Sequence, residues 1–114
     1  MPGIDERVVL IRISQLYRPT MTRDQLYEAT RKWWVLNPSR DPSYAFSVFG
    51  GVVKGVFRID DWEQPAPAER VGRLERRWAF RGVVDPGMEQ KYLGRDVTEY
   101  FPRGAANPVR YVNC

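Results

Sequence analysis

The pair Gly50-Gly51 sits between two apolar runs in YAFSVFGGVVKGVFRIDDW, residues 44–62, and limits the possible folds more than any other feature of the chain. Two consecutive glycines readily take the positive φ values of a two-residue hairpin turn. A hairpin closed on them pairs Phe49 with Val52, Val48 with Val53, Phe46 with Gly55 and Tyr44 with Phe57. Tyr44, Phe46, Val48, Val53, Gly55, Phe57 and Ile59 then share one face. Ala45, Ser47, Phe49, Val52, Lys54, Val56 and Arg58 share the other, which is mixed in polarity. A slip of one residue would exchange the faces, so the alternation specifies the pairing. The bare Gly55 opposite Phe46 leaves room for the ring to lie across the second strand.

Around this hairpin the chain offers further elements. VVLIRI, residues 8–13, is apolar on both faces and reads as a central strand. Pro19 bars an early helix, and Thr22-Arg23-Asp24-Gln25 is a capping box that starts a helix from Arg23 to about Trp34. The helix stops before the loop Asn37-Pro38-Ser39-Arg40-Asp41-Pro42. At about 100° per residue, Leu26, Ala29, Thr30 and Trp33 gather toward the sheet. Glu28, Lys32 and Gln25 face water. Arg23, Tyr27, Arg31 and Trp34 form a second stripe at the edge of the packed face, which makes Trp33 the core member of the pair and Trp34 a boundary ring. By the parity of the hairpin, Trp62 continues the mixed face and need not be core. EQPAPAERVGRLE, residues 63–75, is a long connector. RWAFR, residues 77–81, is a strand with Trp78 and Phe80 inward, Gly82 permits a bulge, and Asp85-Pro86-Gly87 is a turn. Tyr92 and Leu93 read as a short strand or extended edge, residues 97–101 as a single helical turn, 104–108 as a turn, and 109–112 as a closing strand with Tyr111 inward.

Composition bounds the function. A length of 114 residues suits one domain, 1–114, and 43% hydrophobic against 28% charged residues suits a folded one. No long apolar run and no signal peptide opens the chain, so a cytoplasmic protein is expected. A single cysteine, Cys114, excludes an internal disulfide and a thiolate metal site, and the chain contains no histidine. No cofactor motif stands out. The net charge of +4 comes from 15 Arg and 3 Lys against 14 acids. Arginine forks match phosphates and stack on bases, which points to a polyanion. An arginine bias alongside many Ala, Pro and Val also follows from a GC-rich genome.

Short strands separated by Gly and Pro turns, with one apolar-sided helix, give an α+β class: a small curled sheet or β-barrel with one main N-terminal helix packed on it. The layout resembles the PUA-like barrels, the group of the ASCH, EVE and YTH domains. The resemblance rests on the hairpin around GGVVKGVFRI, on the early Trp-rich helix and on the later aromatic strands, and spans about 8–111 in outline. The Gly-x-Lys-x-x-Glu signature of ASCH domains is absent, since Gly55-Val56-Phe57 follows Lys54, so no catalytic residue carries over. The resemblance implies binding of RNA, or of a modified base in an aromatic pocket between helix and barrel.

The residues support a base reader on their own terms, because stacking needs aromatic faces and phosphates or base edges need guanidinium groups. Tyr27, Trp34 and Trp62 are the candidate rings, with Arg23, Arg31 and Arg58 as their cationic neighbours, and Arg77 and Arg81 add outward charge. The expected partner is RNA or DNA, down to a single base or nucleotide. The same pairs also arise where an arginine stem packs on a ring with no ligand. Two other readings stay open. Asp60 and Asp61 beside Trp62 could do acid–base chemistry or hold Mg²⁺ in an enzyme acting on RNA or nucleotides, although Asp-Asp after a strand is ordinary turn chemistry. Phe49, Val52 and Val56 on the mixed hairpin face could instead dock a protein.

Overall fold

The computed structural model describes residues 3–14, 16–72, 76–104 and 106–114; Arg73, Leu74 and Glu75 of the expected long connector, and Ala105 of the expected turn, lie outside the described residues. Six strands form one mixed sheet: β1 (Val8–Arg12), β2 (Trp34–Val35), β3 (Tyr44–Phe49), β4 (Val52–Glu63), β5 (Arg77–Val84) and β6 (Val109–Val112). Their order across the sheet is β2-β5-β4-β3-β1-β6. Helix α1 (Arg23–Arg31) lies in the crossover between the parallel strands β1 and β3, and α2 (Pro86–Tyr92) follows β5. The result is the expected α+β fold, a nearly closed, barrel-like sheet. No described helix is long and apolar enough to cross a membrane.

Each face of the sheet carries its own cluster. On the inner face, residues of both edge strands (Trp34 of β2, Val109 and Tyr111 of β6) join Val9, Ile11, Ala45, Phe57, Phe80 and Leu26 of α1. On the outer face, Val8, Leu10, Phe46, Val48, Val53 and Val56 are covered by Met88 and Tyr92 of α2 and by Val97. The inward placing of Tyr111 agrees with the sequence.

The hairpin turns at Gly50-Gly51 as expected, with φ of +60° and +77°, and starts in the expected register. It does not keep it. Ser47, not Phe46, lies opposite Gly55, and Tyr44 lies opposite Arg58, because a bulge intervenes between Ser47 and Val48. Val53 and Val56, three apart, therefore both reach the outer cluster, and Phe57 turns inward. The cause is the helix. A Cβ on Gly55 would come within 2.8 Å of Leu26 Cδ2, so the bare position admits α1 rather than Phe46. Thr30 locks the contact through hydroxyl bonds of 2.6 Å to the Leu26 carbonyl and to Ser47 Oγ.

A second register shift falls between Ile59 and Asp61, opposite Gly82. There any Cβ would lie 1.9 Å from the Arg58 carbonyl oxygen, so Gly82 is required by backbone approach, and the bulge it was expected to permit is present. This shift also overturns the parity assigned to Trp62, which packs on the inner cluster with its ring edge-on to Phe80 at 6.4 Å.

Helix α1 opens on the expected capping box, with reciprocal Thr22–Gln25 bonds of 3.0 and 3.1 Å. It ends at Arg31, three residues early. The Thr30 carbonyl, which in a longer helix would accept the backbone N–H of Trp34, accepts that residue's indole Nε1–H instead, at 2.7 Å. Trp34 then pairs with Trp78 in the sheet. The two tryptophans consequently exchange roles: Trp34 packs on the inner cluster and Trp33 stays outside both cores. Trp78 is only half-buried, while Ala79, expected outward, is buried. Around Tyr92 the chain is helical, not extended. Asp85 caps α2 by accepting the Met88 N–H at 3.1 Å, with Pro86 in the first turn.

Among the described residues only two of β2 pair with β5, and no described strand lies beside the rest of its outer margin. Side chains of α1 take up its backbone groups. Arg31 Nε donates to the Phe80 carbonyl at 3.0 Å, and the Gly82 N–H donates to the Tyr27 hydroxyl at 3.0 Å. These are positions where a further strand would bond.

Candidate functional site

The two margins of the sheet approach each other along a seam. At one end it is closed: Asn37 N–H donates to the Tyr111 hydroxyl at 2.6 Å, Arg40 lies over the Tyr111 ring at 4.6 Å, and Arg40 Nη1 donates to the Cys114 carbonyl at 2.9 Å. At the other end it is open. A hollow of about 340 Å³ lies between Trp34 of β2 and the facing Arg12, Ile13 and Pro108, with Ser14, Leu16 and Ala106 at its rim. A second hollow, of about 450 Å³, adjoins it against α1 and is lined by Trp33, Glu28, Ala29, Lys32 and Arg77. Trp34 and Leu16 belong to both, and Leu16 is 46% exposed.

Trp34 is anchored at the boundary of both hollows. Its ring nitrogen is bonded to the Thr30 carbonyl and its backbone is paired with Trp78, so its orientation is fixed from two sides. Three cations border the hollows. Arg12 Nη2 donates to the Asn107 carbonyl at 3.2 Å and its guanidinium sits 4.9 Å from the Phe101 ring centroid. Arg77 Nη1 donates to the Trp33 carbonyl at 3.3 Å, and Lys32 Nζ lies 5.9 Å from the Trp33 ring centroid. These contacts fix the direction in which each of the three cations points.

Of the six site residues expected from the sequence, the hollows take in Trp34 alone. Tyr27 and Trp62 both pack on Phe80, with ring centroids at 5.8 and 6.4 Å, so Trp34 and Trp62 share no pocket. Arg31 is buried, bonded to Phe80, ion-paired with Glu63 and 3.6 Å from Glu28. Arg23 is exposed and 3.5 Å from Glu89, and Arg58 is paired with Asp60 at 3.0 Å. That pairing raises the already high pKa of Arg58. The hollows also take in Arg12, Lys32, Glu28 and Trp33, which the sequence does not single out for the site, and Arg77, which it gives only as added outward charge. Arg77 had one available signal, the arginine next to Trp78 on a strand. Arg12 had none, because only the crossover brings the end of β1 to Trp34.

The alternatives fare differently. Asp61 bonds Arg81 at 3.0 Å and the Trp62 N–H at 2.8 Å, while Asp60 holds Arg58, so the two carboxylates serve separate partners. Among the described residues no cluster of three or more His, Cys, Asp or Glu is placed to hold a metal. The apolar patch expected on the mixed hairpin face does not form: Val56 is fully buried, Phe49 stacks on Tyr17 at 4.7 Å, and Val52 bridges to Asp96.

Groups with shifted titration lie away from the hollows. Glu6, whose carboxylate accepts from Tyr92 Oη at 2.5 Å and Lys91 Nζ at 2.7 Å, is pushed up by burial, but these hydrogen bonds outweigh it and hold its pKa below the ordinary value. Burial, and then the bond to Glu6, raise that of Tyr92. The bond to Glu6 raises Lys91, and bonds from Thr98 lower Asp96. No family model, no curated protein and no solved structure matches the chain.

Proposed function

We propose that this protein is a PUA-like module that binds single-stranded nucleic acid, seating an unpaired base against Trp34. The observation that carries the reading is a tethered indole bordering two adjoining hollows, with cations on both sides. Base–aromatic stacking is worth about 1–3 kcal/mol per base and tolerates any sequence. Arg12, Lys32 and Arg77 are placed to meet backbone phosphates, and the net charge of +4 favours approach of a polyanion. The barrel-like sheet is compatible with a PUA-like architecture and puts the hollows beside the helix that follows its first strand.

The test is a titration of labelled RNA and DNA single strands at several salt concentrations. Binding should weaken log-linearly with salt and fall on Trp34→Ala, while a duplex of the same sequence binds less well. No binding even at low salt, or binding indifferent to Trp34→Ala, would falsify the reading.

A further inference from the structure

The two hollows share Trp34 and Leu16 but differ in charge. That between β2 and the segment before β6 is lined by a cation and a hydroxyl, Arg12 and Ser14, and among the described residues by no acid. That against α1 holds a carboxylate, Glu28, together with Lys32, Arg77 and both indoles. Glu28 Oε2 stands 3.6 Å from Arg31 and 3.8 Å from Lys32, within ion-pair range but beyond a hydrogen bond, and its side chain is 57% exposed. Arg31 already has Phe80 and Glu63 as closer partners. The Glu28 carboxylate thus retains acceptor capacity toward the hollow.

We propose that this second hollow selects guanine and that Glu28 determines the selection; the proposal rests on the nucleic-acid reading above. An ionised carboxylate only accepts hydrogen bonds, and lysine and arginine only donate. A base matching both must present donors on one edge and acceptors on the next. Guanine does so: its ring N1–H and exocyclic N2–H₂ form a parallel pair that fits two carboxylate oxygens, and its O6 and N7 accept from Lys or Arg. Uracil offers one N–H between two carbonyls. Adenine offers its amino group beside a lone acceptor, and cytosine its amino group with no second donor. The flanking hollow, with Arg12 and Ser14, suits the adjacent phosphate.

The experiment measures binding of fluorescent oligouridines that carry one central guanosine, inosine, adenosine, cytidine or uridine. Guanosine should bind roughly tenfold more tightly than uridine, within the discrimination usual for a bidentate base contact. Inosine, which lacks the 2-amino group, should lose most of that advantage, a readout that needs no variant. In Glu28→Gln and Glu28→Asp, both checked by thermal melts, the guanosine-to-uridine affinity ratio should fall toward one. Equal affinity for all five oligomers, with binding still lowered by Trp34→Ala, overturns guanine selection and leaves base stacking standing. A guanosine preference unchanged by inosine, or unchanged in both Glu28 variants, also overturns the proposal. Failure of every oligomer to bind overturns the nucleic-acid reading itself.

Discussion

On the outer face of the sheet, Phe46 and Tyr92 pack ring to ring at 5.2 Å and are fully buried. On the inner face, Phe57 and Phe80 lie at 6.1 Å, Tyr27 and Trp62 flank them, and the succession runs out to half-exposed indoles at Trp34 and Trp33. Both faces are built from similar side chains, so ring chemistry does not separate core from site. What separates them is closure. The outer cluster is sealed by α2, whose Tyr92 is tied to the N-terminal segment through Glu6. The inner cluster is sealed only where α1 and the Tyr111 end of the seam cover it, and aromatic surface stays accessible where the sheet margins fail to meet.

The largest effect should come from the sealed face. Phe46→Ala is expected to cost about 3–5 kcal/mol in denaturant titrations, with Trp33→Ala far milder because that ring lies outside both clusters. Equal losses would break the contrast between the faces. Next comes Arg31→Ala, which removes the bond to Phe80 and leaves Glu63 without its partner, a loss of about 2–3 kcal/mol. A variant that stayed as stable as the parent but bound oligonucleotide poorly would instead return Arg31 to the ligand-contacting role its helical stripe suggested. Third, Trp34→Ala should weaken oligonucleotide binding by about 1–3 kcal/mol, whereas Trp62→Ala should lower the melting temperature and leave the affinity of the folded fraction unchanged. A binding loss at Trp62 with none at Trp34 would move the site to the sealed part of the inner face.

The smallest effect concerns the tie that closes the outer face. Glu6 has a folded pKa below its ordinary value of about 4.5, so its stabilisation is complete above that value and fades as pH falls through the lowered one. Tyr92 and Lys91 are raised from about 10.0 and 10.5, so their share is lost as pH climbs beyond these values. Melting curves of Glu6→Gln through the acid range should show a flatter acid limb, by less than about 1 kcal/mol because its ion pair with Lys91 lies at the surface. An unchanged acid limb would show that Glu6 contributes nothing to the seal.

The sequence revealed the parts that depend on neighbours along the chain. Gly50-Gly51, the Thr22–Gln25 box, the β1 run and the inward Tyr111 follow from local chemistry and alternation. It concealed what depends on neighbours in space. Both register shifts arise where something crosses a glycine, Leu26 at Gly55 and the Arg58 carbonyl at Gly82, and no alternation pattern shows an approach from outside the strand. The early end of α1 turns on one indole displacing a backbone donor. The start of α2 reads as a turn because Asp-Pro-Gly serves equally as a turn and as a helix start, and its end at Tyr92 reads as an extended edge. At the hollows, the helical wheel singled out Trp34 but as a helical residue, read Glu28 and Lys32 as water-facing, and had no access to the residues from β1, β5 and the loop before β6, which meet only once the sheet has curled.

The bonds from Tyr27 and Arg31 to the margin of β5 tie the protection of that edge to a local event. While α1 is docked, the Phe80 carbonyl and the Gly82 N–H are occupied and the margin cannot serve as a template for another strand. When α1 lifts away, the first thing uncovered is a ready pairing edge, with the rest of the sheet still formed. Pairing of another strand along this margin therefore requires α1, a nine-residue helix, to undock first, and hydrogen exchange at Gly82 is where that opening can be read.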